Sequence, residues 1–376
     1  MIKYFGRFDL DENKEENRRI SLAAINKMNY IIEAINECAH SVKIISISRT
    51  KNKKYYKGRT IKIDDKNELV LFPTFPWGNI IQKAFSLFTG NIILFLYMIA
   101  NIKRNESIIV YHSFGFKNII ILAKKIKGFK MILEVEEIYQ DVIKCSDHYK
   151  RMEFKVFGMA DKFIFPTKSL DKKINETRKP KIIIHGTYKV EYDRKEKFND
   201  NKIHVVYAGI FAPNKGASMA VAAAEFLTEE YHVHIIGFGT EEQKEQLIDQ
   251  IKDVSKRSKA SITFDGLLKG EEYVRFLQKC QIGLSTQNSD AKYNGTSFPS
   301  KVLSYLVNGL RVVSVRIKTI ENSEIGNELF YYDKQGPEEI AKTIMRIDLN
   351  RKYDSREIIK QLDNKFKKEL KSFLEM

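Results

Sequence analysis

The sequence predicts an α/β protein with two successive domains, each built on a mostly parallel β-sheet. Two series of short apolar runs, rich in valine and isoleucine, alternate with longer segments that carry apolar residues at helical spacing. This alternation is typical of βαβ units. A charged stretch from Tyr188 to Lys202 has no apolar periodicity and is the expected linker. The length of 376 residues also fits two domains of ordinary size.

The first domain is expected at residues 1–190. Its predicted strands are Val42–Ser48, Val70–Phe72, Ser107–Tyr111, Met131–Val135, Lys162–Phe165 and Lys181–Ile184. Amphipathic spacing predicts helices from Ile20 to Ile35 and from Lys117 to Lys127. The uncharged run from Ala84 to Ile102 predicts a third helix, either buried or at a membrane interface. It only just reaches the roughly 20 residues that a spanning helix needs.

The second domain is expected at residues 202–355. Its predicted strands are Ile203–Gly209, Tyr231–Gly237, Ile262–Phe264, Ile282–Ser285 and Arg311–Val315. Its predicted helices are Met219–Leu227, Glu241–Lys256, Glu271–Lys279, a helix between Pro299 and Gly309, and Pro337–Ile347. Proline is tolerated in a first helical turn and glycine commonly ends a helix, which fixes the ends of the fourth of these helices.

The charge balance points to an acidic partner. The chain has 64 Lys and Arg against 48 Asp and Glu, a formal charge of +16. Anionic lipid headgroups or a phosphorylated substrate fit this excess, whereas the sequence has no basic-aromatic module for nucleic acid. Cys38, Cys145 and Cys280 are widely spaced and are expected to be buried thiols in a reducing cytoplasm. No apolar signal-peptide segment follows the first residues.

Three stretches of the second domain are expected to bind an anion, because backbone N–H groups at helix starts favour negative charge. They are the loop Gly209–Gly216 with Asn214 and Lys215, the turn Gly237–Gly239, and the helix start Asn294–Lys301 with Gly295, Thr296 and Ser297. Lys215 and Lys301 add charge to two of them. None matches a dinucleotide or Walker motif, so an ordinary strand-to-helix turn is the alternative at each.

The order of these motifs resembles the C-terminal domain of group 1 (GT4-type) bacterial glycosyltransferases of the GT-B fold. The resemblance rests on the Gly209–Gly216 loop, Ile235–Gly239, Phe264–Gly266, Gly283–Ser285 and Phe298–Gly309, which ends the series before Val312. In the first half, Ala160–Lys168 looks like the element that closes such N-domains. His185-Gly-Thr resembles the turn at their domain junction.

The resemblance implies two Rossmann-like domains facing a cleft, with the C-terminal helix at 356–376 crossing back to the N-domain. It implies retaining transfer of a hexose from a nucleotide-diphosphate sugar, expected to be UDP-linked, to a saccharide acceptor, free or lipid-linked. The biological setting would be capsule or exopolysaccharide synthesis. No metal and no cofactor besides the substrate nucleotide sugar are expected.

One departure concerns two glutamates that the family commonly carries around the donor helix. Thr296 and Ser304 stand at those positions, so the groups that contact the ribose and organise the sugar differ here. Donor-binding residues carried over by the resemblance are Gly209, Asn214, Lys215, Gly237, Gly239, Gly295, Thr296, Ser297, Lys301 and Ser304.

The expected chemistry is stabilisation of a leaving phosphate. Breaking the sugar–diphosphate bond develops negative charge, and Lys215, Lys301 and helix N–H groups would offset it by preorganised electrostatics. In the first domain, His112 follows a predicted strand and Glu136 lies in an acidic cluster at the end of another. Both are candidate catalytic residues, with a packed histidine and a solvated acidic turn as the alternatives.

Two other functions share the same motifs. One is a non-catalytic GT-B subunit beside an active partner, and the other is a sugar-nucleotide epimerase on the same fold. The chain has no dinucleotide fingerprint with its later acidic residue, which argues against a dehydrogenase.

The first domain also predicts peripheral binding to an anionic membrane at the inner face of the cell membrane. The apolar loop Phe72–Trp77 and the run from Ala84 are accompanied by basic residues, namely Lys51, Lys53, Lys54, Lys57, Arg59, Lys103 and Arg104. Apolar groups beside cations are what an interfacial anchor needs. The alternative is a core helix with solubilising lysines.

Overall fold

The computed structural model describes residues 1–113, 115–142 and 146–375, and the chain divides into two compact units. Unit 1 comprises Met1–Ile184 and Lys365–Met376, and unit 2 comprises His185–Asn364. Both boundaries differ from those expected at 190 and 355. The segment 188–202 is irregular, as expected of a linker, but it belongs to unit 2. Its backbone N–H groups bond to that unit, Glu191 to the Val307 carbonyl (3.1 Å) and Arg194 to the Gln278 side chain (3.1 Å).

Unit 1 is built on a sheet that, in the described residues, has eight strands in the order β3-β4-β2-β1-β5-β6-β7-β8. The strands are β1 Ile2–Gly6, β2 Val42–Ser46, β3 Arg59–Lys62, β4 Asn67–Leu71, β5 Ser107–Tyr111, β6 Lys130–Glu134, β7 Lys162–Phe165 and β8 Lys181–Ile183. Strand β3 pairs antiparallel to β4, and the other pairs are parallel. The buried strand interiors explain their near-continuous apolar sequences.

Helices cover the strands of unit 1. They are α1 Leu22–Glu37, α2 Ile80–Asn101, α3 Lys117–Lys127, α4 Tyr139–Val142, α5 Asp147–Met159 and α6 Lys168–Ile174. A reciprocal capping box between Asn79 and Gln82 starts α2. Helix α3 ends at Gly128, whose φ of 66° is the left-handed conformation that favours glycine.

Unit 2 has a parallel sheet whose described strands run in the order β11-β10-β9-β12-β13-β14. The strands are β9 Ile203–Ile210, β10 Tyr231–Phe238, β11 Ser261–Gly266, β12 Ile282–Ser285, β13 Arg311–Val315 and β14 Leu329–Tyr332. The helices are α7 Ala217–Ala223, α8 Glu241–Ser255, α9 Gly270–Lys279, α10 Ser300–Val307, α11 Lys318–Glu321, α12 Pro337–Met345 and α13 Arg356–Glu375.

Tyr305 fixes α10 against the middle of the unit 2 sheet. Its buried hydroxyl accepts from the Ala208 N–H (2.8 Å) on β9 and donates to the Leu284 carbonyl (3.2 Å) on β12. The ring lies against Gly283, where a Cβ would come within 2.3 Å of it. A glycine on β12 is therefore required for this helix to sit where it does.

Helix α13 begins in unit 2 and ends in unit 1. Within unit 2, Arg356 donates to the Asn308 carbonyl (2.7 Å). Within unit 1, Phe366 stacks on Tyr30 of α1 with ring centroids 5.6 Å apart, and Lys162 of β7 donates to the Phe373 carbonyl (2.7 Å). The C-terminal part of the apolar stripe, Phe366, Leu370 and Phe373, is thus buried in unit 1.

Several strands were not predicted from the sequence. Strands β1 and β14 are short, β1 at the very start of the chain, and β3 alternates charged residues at an edge. Strands β1 and β14, with five and four residues, are too short to give a periodic signal, and β3 has a single apolar residue, Ile61. Of the three cysteines expected to be buried, Cys280 is buried and Cys38 is partly buried, and Cys145 lies outside the described residues.

Candidate functional site

The first group of candidate residues lies where the strand order of unit 2 reverses. The chain builds β9, β10 and β11 in one direction and then returns to place β12 on the other side of β9. Open α/β sheets bind ligands at the carboxyl ends of the strands that flank such a switch point. The Gly209–Gly216 loop follows β9, and the segment leading to α10 follows β12.

Glycines allow these loops to approach each other closely. Gly237 has a φ of 142°, and a Cβ there would lie 1.8 Å from the Gly209 carbonyl oxygen. Gly216 has a φ of 92°, and a Cβ there would lie 2.2 Å from the Thr286 carbonyl oxygen. The Thr286 hydroxyl donates to the Gly216 carbonyl (2.7 Å). The β9 loop is therefore held against the loop that follows β12.

Two lysines of the predicted donor site, Lys215 and Lys301, lie at this place. Lys301, in the first turn of α10, donates from Nζ to the Lys215 carbonyl (3.2 Å) and lies 3.9 Å from the ring centroid of Tyr207. Lys215 Nζ lies 4.2 Å from the ring centroid of Tyr293. Gly209 leaves room for the Lys301 ammonium, since a Cβ there would lie 3.3 Å from Nζ.

The environment of Lys301 weakens its hold on a proton. Burial, with a smaller contribution from the Lys215 charge, lowers the pKa of Lys301 to about 7. In the described residues neither lysine has a carboxylate within ion-pair distance. A cation that lies over an aromatic ring and has no acidic partner is well suited to receive an anion.

The remaining donor candidates surround this pair. The Asn214 carbonyl accepts from the Asn288 N–H (3.1 Å) and the Tyr293 hydroxyl (3.3 Å), which joins the two loops. Gly239 lies against Phe211 of the β9 loop, where a Cβ would be 3.0 Å from the Phe211 Cβ.

The segment before α10 is held by hydrogen bonds to Thr319, and Gly295 within it faces open space. The Thr319 hydroxyl lies within hydrogen-bond distance of the Asn294 and Ser297 carbonyls (3.0 and 3.2 Å). Open space surrounds Gly295, and Thr296 is buried. The Ser297 hydroxyl oxygen is buried without a hydrogen-bond partner among the described residues.

Ser304 lies one helical turn after Lys301 and is engaged with a side chain of α9. Its hydroxyl lies 2.9 Å from that of Tyr273. A serine here presents a short neutral group where the family commonly has a carboxylate. The donor-binding role of Ser304 stays a prediction.

In unit 1, two glutamates lie side by side at the carboxyl end of β6. Glu134 is fully buried and accepts a short hydrogen bond from the Tyr4 hydroxyl. Burial, the Glu136 charge and a hydrogen bond with that residue raise the pKa of Glu134 to about 8. Glu136 is partly exposed and is paired with Lys27 (2.5 Å). Paired carboxyls with different environments are a common arrangement for acid–base work.

His112 lies at the end of β5 in a buried aromatic setting. Its ring centroid is 4.9 Å from that of Tyr139 and 5.0 Å from that of Phe157, and its Nε2 is 3.5 Å from Glu153. Burial lowers the pKa of His112 to about 3, so the ring is neutral at physiological pH. It is therefore a weak base, and its catalytic role stays a prediction.

The sequence placed Glu134 in the acidic cluster at the end of a predicted strand without choosing it as a catalytic candidate, and it did not single out Tyr207. Glu134 is the one charged residue inside the apolar run Met131–Val135, and that interruption was the available signal. Tyr207 lies inside a buried strand, and its hydroxyl reaches the Ile210 and Lys215 carbonyls (2.9 and 2.8 Å). Nothing in the local sequence distinguishes it from a core tyrosine.

Three histidines of unit 2 lie close enough to hold a metal ion. One ring nitrogen from each of His204, His232 and His234 lies within 4.8 Å of the others. The His232 and His234 rings are stacked, with centroids 4.0 Å apart, and the two nitrogens of His204 lie 2.9 Å from His234 Nε2 and 2.7 Å from Asp200. This cluster is at the amino ends of β9 and β10, at the opposite end of these strands from the two lysines.

Two successive units, each built on a mostly parallel sheet with helices, are the arrangement of the GT-B fold. Residues 189–365 match the family described as "Glycosyl transferases group 1". The chain has the GT-B fold, and its second unit is similar to group 1 glycosyl transferases. No curated protein sequence matches it significantly.

Solved structures resemble the whole chain at low sequence identity. One is an E. coli trehalose-6-phosphate structure bound with UDP-2-fluoro glucose, with 11% identity, a TM-score of 0.69, and coverage of 100% of this chain and 98% of that chain. Another is α,α-trehalose 6-phosphate synthase from Burkholderia multivorans, with 11% identity, a TM-score of 0.68, and coverage of 99% of this chain and 94% of that chain. A third is Anabaena Alr3699/HepE in complex with UDP and glucose, with 12% identity, a TM-score of 0.66, and coverage of 100% of this chain and 99% of that chain.

Proposed function

We propose that this protein is a retaining, GT4-type hexosyltransferase that moves a hexose from a UDP-linked sugar to a saccharide acceptor, free or lipid-linked, in bacterial surface-polysaccharide synthesis. The observation that carries this proposal is the pairing of Lys215 and Lys301 beside the Gly209 loop, without an acidic partner among the described residues. Diphosphate is the anion that two converging cations and close backbone approach suit best.

Structures with the same fold support the donor class. The E. coli structure holds UDP-2-fluoro glucose, and Anabaena HepE holds UDP and glucose. A sugar–diphosphate donor would place its phosphates against the carboxyl ends of β9 and β12. The sugar would then extend toward Gly295 and Ser297, where the chain leaves open space and an unsatisfied buried hydroxyl.

The two ammonium groups would then act on the leaving group. Cleavage of the anomeric bond leaves the nucleotide diphosphate with additional negative charge, which Lys301 and Lys215 offset without moving. We propose that this fixed positive charge serves in place of a divalent metal ion. Glu136, with its neighbour Glu134, is the proposed partner for acceptor hydroxyls in unit 1, and His112 is the second candidate.

We also propose that unit 1 binds the inner face of the cell membrane through α2. This helix is long and apolar enough to span a membrane, yet Leu94 and Met98 are buried in the core of unit 1. Large apolar side chains cover the rest of its surface, among them Ile81 at 75% and Phe88 at 67% exposure. An anchored helix with an apolar outer face is suited to lie at the interface.

Basic residues near both ends of α2 also support membrane binding through this helix. The basic loop at 51–57 reaches the start of the helix, where the Trp77 N–H donates to the Asn52 carbonyl (2.8 Å), and Lys103 follows its end. Arg59, Leu96 and Tyr97 help to line a groove of about 680 Å³ between α2 and the sheet edge. A groove of this size is suited to an acyl segment of a lipid-linked acceptor.

Binding and turnover of nucleotide sugars test the proposed function. We expect a UDP-hexose to raise the melting temperature, because a ligand that binds only the native state stabilises it. We also expect slow hydrolysis of the same donor without acceptor, and a smaller effect of both kinds in Lys301→Met at the same donor concentration. A donor that binds but is never hydrolysed would favour the non-catalytic subunit, and an epimerised sugar nucleotide would favour the epimerase.

A further inference from the structure

Three arginines of unit 1 gather at the switch point of its own sheet. Strand β1 has β2 on one side and β5 on the other, so the order in which strands are added across the sheet reverses at β1. Arg7 directly follows β1, and Arg49 lies three residues after β2. The Arg19 N–H donates to the Arg49 carbonyl (2.8 Å), which brings the third arginine to the same edge.

The guanidinium groups are held by aromatic rings. The Phe116 ring, just after β5, has the Arg7 Cζ 5.6 Å from its centroid and the Arg49 Cζ 5.2 Å from it. The Arg19 Cζ lies 4.0 Å from the centroid of Trp77. Arg49 also donates to the Asn91 side chain (3.1 Å) and the Leu87 carbonyl (3.4 Å) of α2.

The three charges lack acidic partners and repel one another. In the described residues none of Arg7, Arg19 and Arg49 has a carboxylate within ion-pair distance. Burial and the charges of Arg7 and Arg19 lower the pKa of Arg49 to about 10, which still leaves it cationic at neutral pH. The Arg19 Nε is buried without a hydrogen-bond partner among the described residues.

Other arginines of the same region are neutralised. Glu16 is bonded to Arg18 (2.7 Å) and is also paired with Arg59. A glutamate is thus present in this region, but it pairs with Arg18 and Arg59 and not with the three arginines at the sheet edge. A cluster of unpaired planar cations at a switch point is a built arrangement for phosphate oxygens, which guanidinium groups bind bidentately.

We propose that Arg7, Arg19 and Arg49 bind a phosphate or diphosphate group of the acceptor. This inference rests on the proposed function, since unit 1 would be the acceptor side of the transferase. The phosphate would belong either to a soluble sugar phosphate or to a saccharide linked through diphosphate to a lipid. The contact of Arg49 with α2, the proposed membrane helix, places the cluster beside the surface from which a lipid-linked acceptor would enter.

The only tryptophan of the sequence, Trp77, provides a reporter beside the cluster. A bound anion that draws Arg19 from the indole ring will change the Trp77 fluorescence. The titrant is inorganic pyrophosphate at constant ionic strength, with saturating UDP present to occupy the donor loops of unit 2. We expect a saturable change whose Kd rises about tenfold or more in Arg49→Gln and in Arg7→Gln.

Arg104→Gln is the matched control, because it removes the same charge at the amino end of β5. It should leave the Kd unchanged. The inference is overturned if pyrophosphate gives no saturable signal, or if Arg49→Gln and Arg104→Gln bind it equally well. Donor binding, followed by the melting temperature with UDP-hexose, should be unaffected in all three variants, so loss of donor binding would bear on the proposed function instead.

Two further titrations identify the source of the phosphate. One uses a soluble hexose phosphate, and the other uses phosphatidylcholine vesicles that contain a long-chain alkyl diphosphate. A response to either that is lost in Arg49→Gln supports the inference, and the tighter of the two names the acceptor class. A response to both that persists in Arg49→Gln overturns it.

Discussion

The low pKa of Lys301 makes donor affinity depend on pH in a defined way. With a pKa of about 7, the ammonium of the free protein is half protonated at pH 7 and roughly 3% protonated at pH 8.5. A bound diphosphate favours the charged form and raises the pKa of Lys301 toward its ordinary value of 10.5. Binding above pH 7 must therefore take up a proton.

The magnitude follows from the protonated fraction. Between pH 7 and pH 8.5 that fraction falls from one half to about 3%, so the Kd of a UDP-hexose should rise about 16-fold. A sugar–diphosphate has no pKa of its own in this range, which leaves the protein as the source of the effect. The measurement is isothermal titration calorimetry at several pH values, in buffers of different ionisation enthalpy to count the protons taken up.

Two substitutions of Lys301 separate charge from structure. In Lys301→Met the Kd at pH 7 should rise by roughly 10- to 150-fold, the worth of a charged hydrogen bond of about 1.5–3 kcal/mol, and should lose its pH dependence. Lys301→Arg keeps a charge that does not titrate, so its Kd should be nearly independent of pH. If Lys301→Met keeps the slope of the wild type, Lys301 is not the titrating group and the assignment of the donor site fails.

Further predictions concern stability and membrane binding. Because the folded-state pKa of Glu134 is raised from 4.5 to about 8, the wild type should lose stability as pH rises from 5 to 8, by up to about 1.4 kcal/mol per pH unit. Urea unfolding of Glu134→Gln should show a smaller slope, and an equal slope would refute the assignment. Gly216→Ala should lower the unfolding free energy by about 1–3 kcal/mol through its positive φ and the clash with a carbonyl, and by more than Gly270→Ala, which meets open space. The wild type should sediment with anionic vesicles at low salt and less at high salt or with neutral vesicles, and the double variant Ile81→Asp, Phe88→Asp should stay in the supernatant. Equal recovery of wild type and double variant would exclude α2 as the anchor.

Local sequence determined most of the elements of unit 2 and part of the candidate site. Short apolar runs mark the strands of unit 2. Glycines mark turns where a side chain would meet backbone, as at Gly216 and Gly237. A lysine at a helix start after such a turn indicates an anion site by itself. Lys215 and Lys301 were therefore predictable, because each stands in a local pattern whose physical meaning does not depend on the rest of the fold.

Tertiary structure alone decided the properties that depend on strand order. Arg7, Arg19 and Arg49 are scattered through the first fifty residues, and they meet only because β1 lies between β2 and β5. The pKa of Glu134 follows from burial beside Tyr4 and Glu136, and the exposure of α2 follows from which of its side chains the core of unit 1 accepts. Periodicity records which face of an element is apolar, but not which neighbours cover it. Charge proximity and solvent exposure are therefore fixed only when the sheet is assembled.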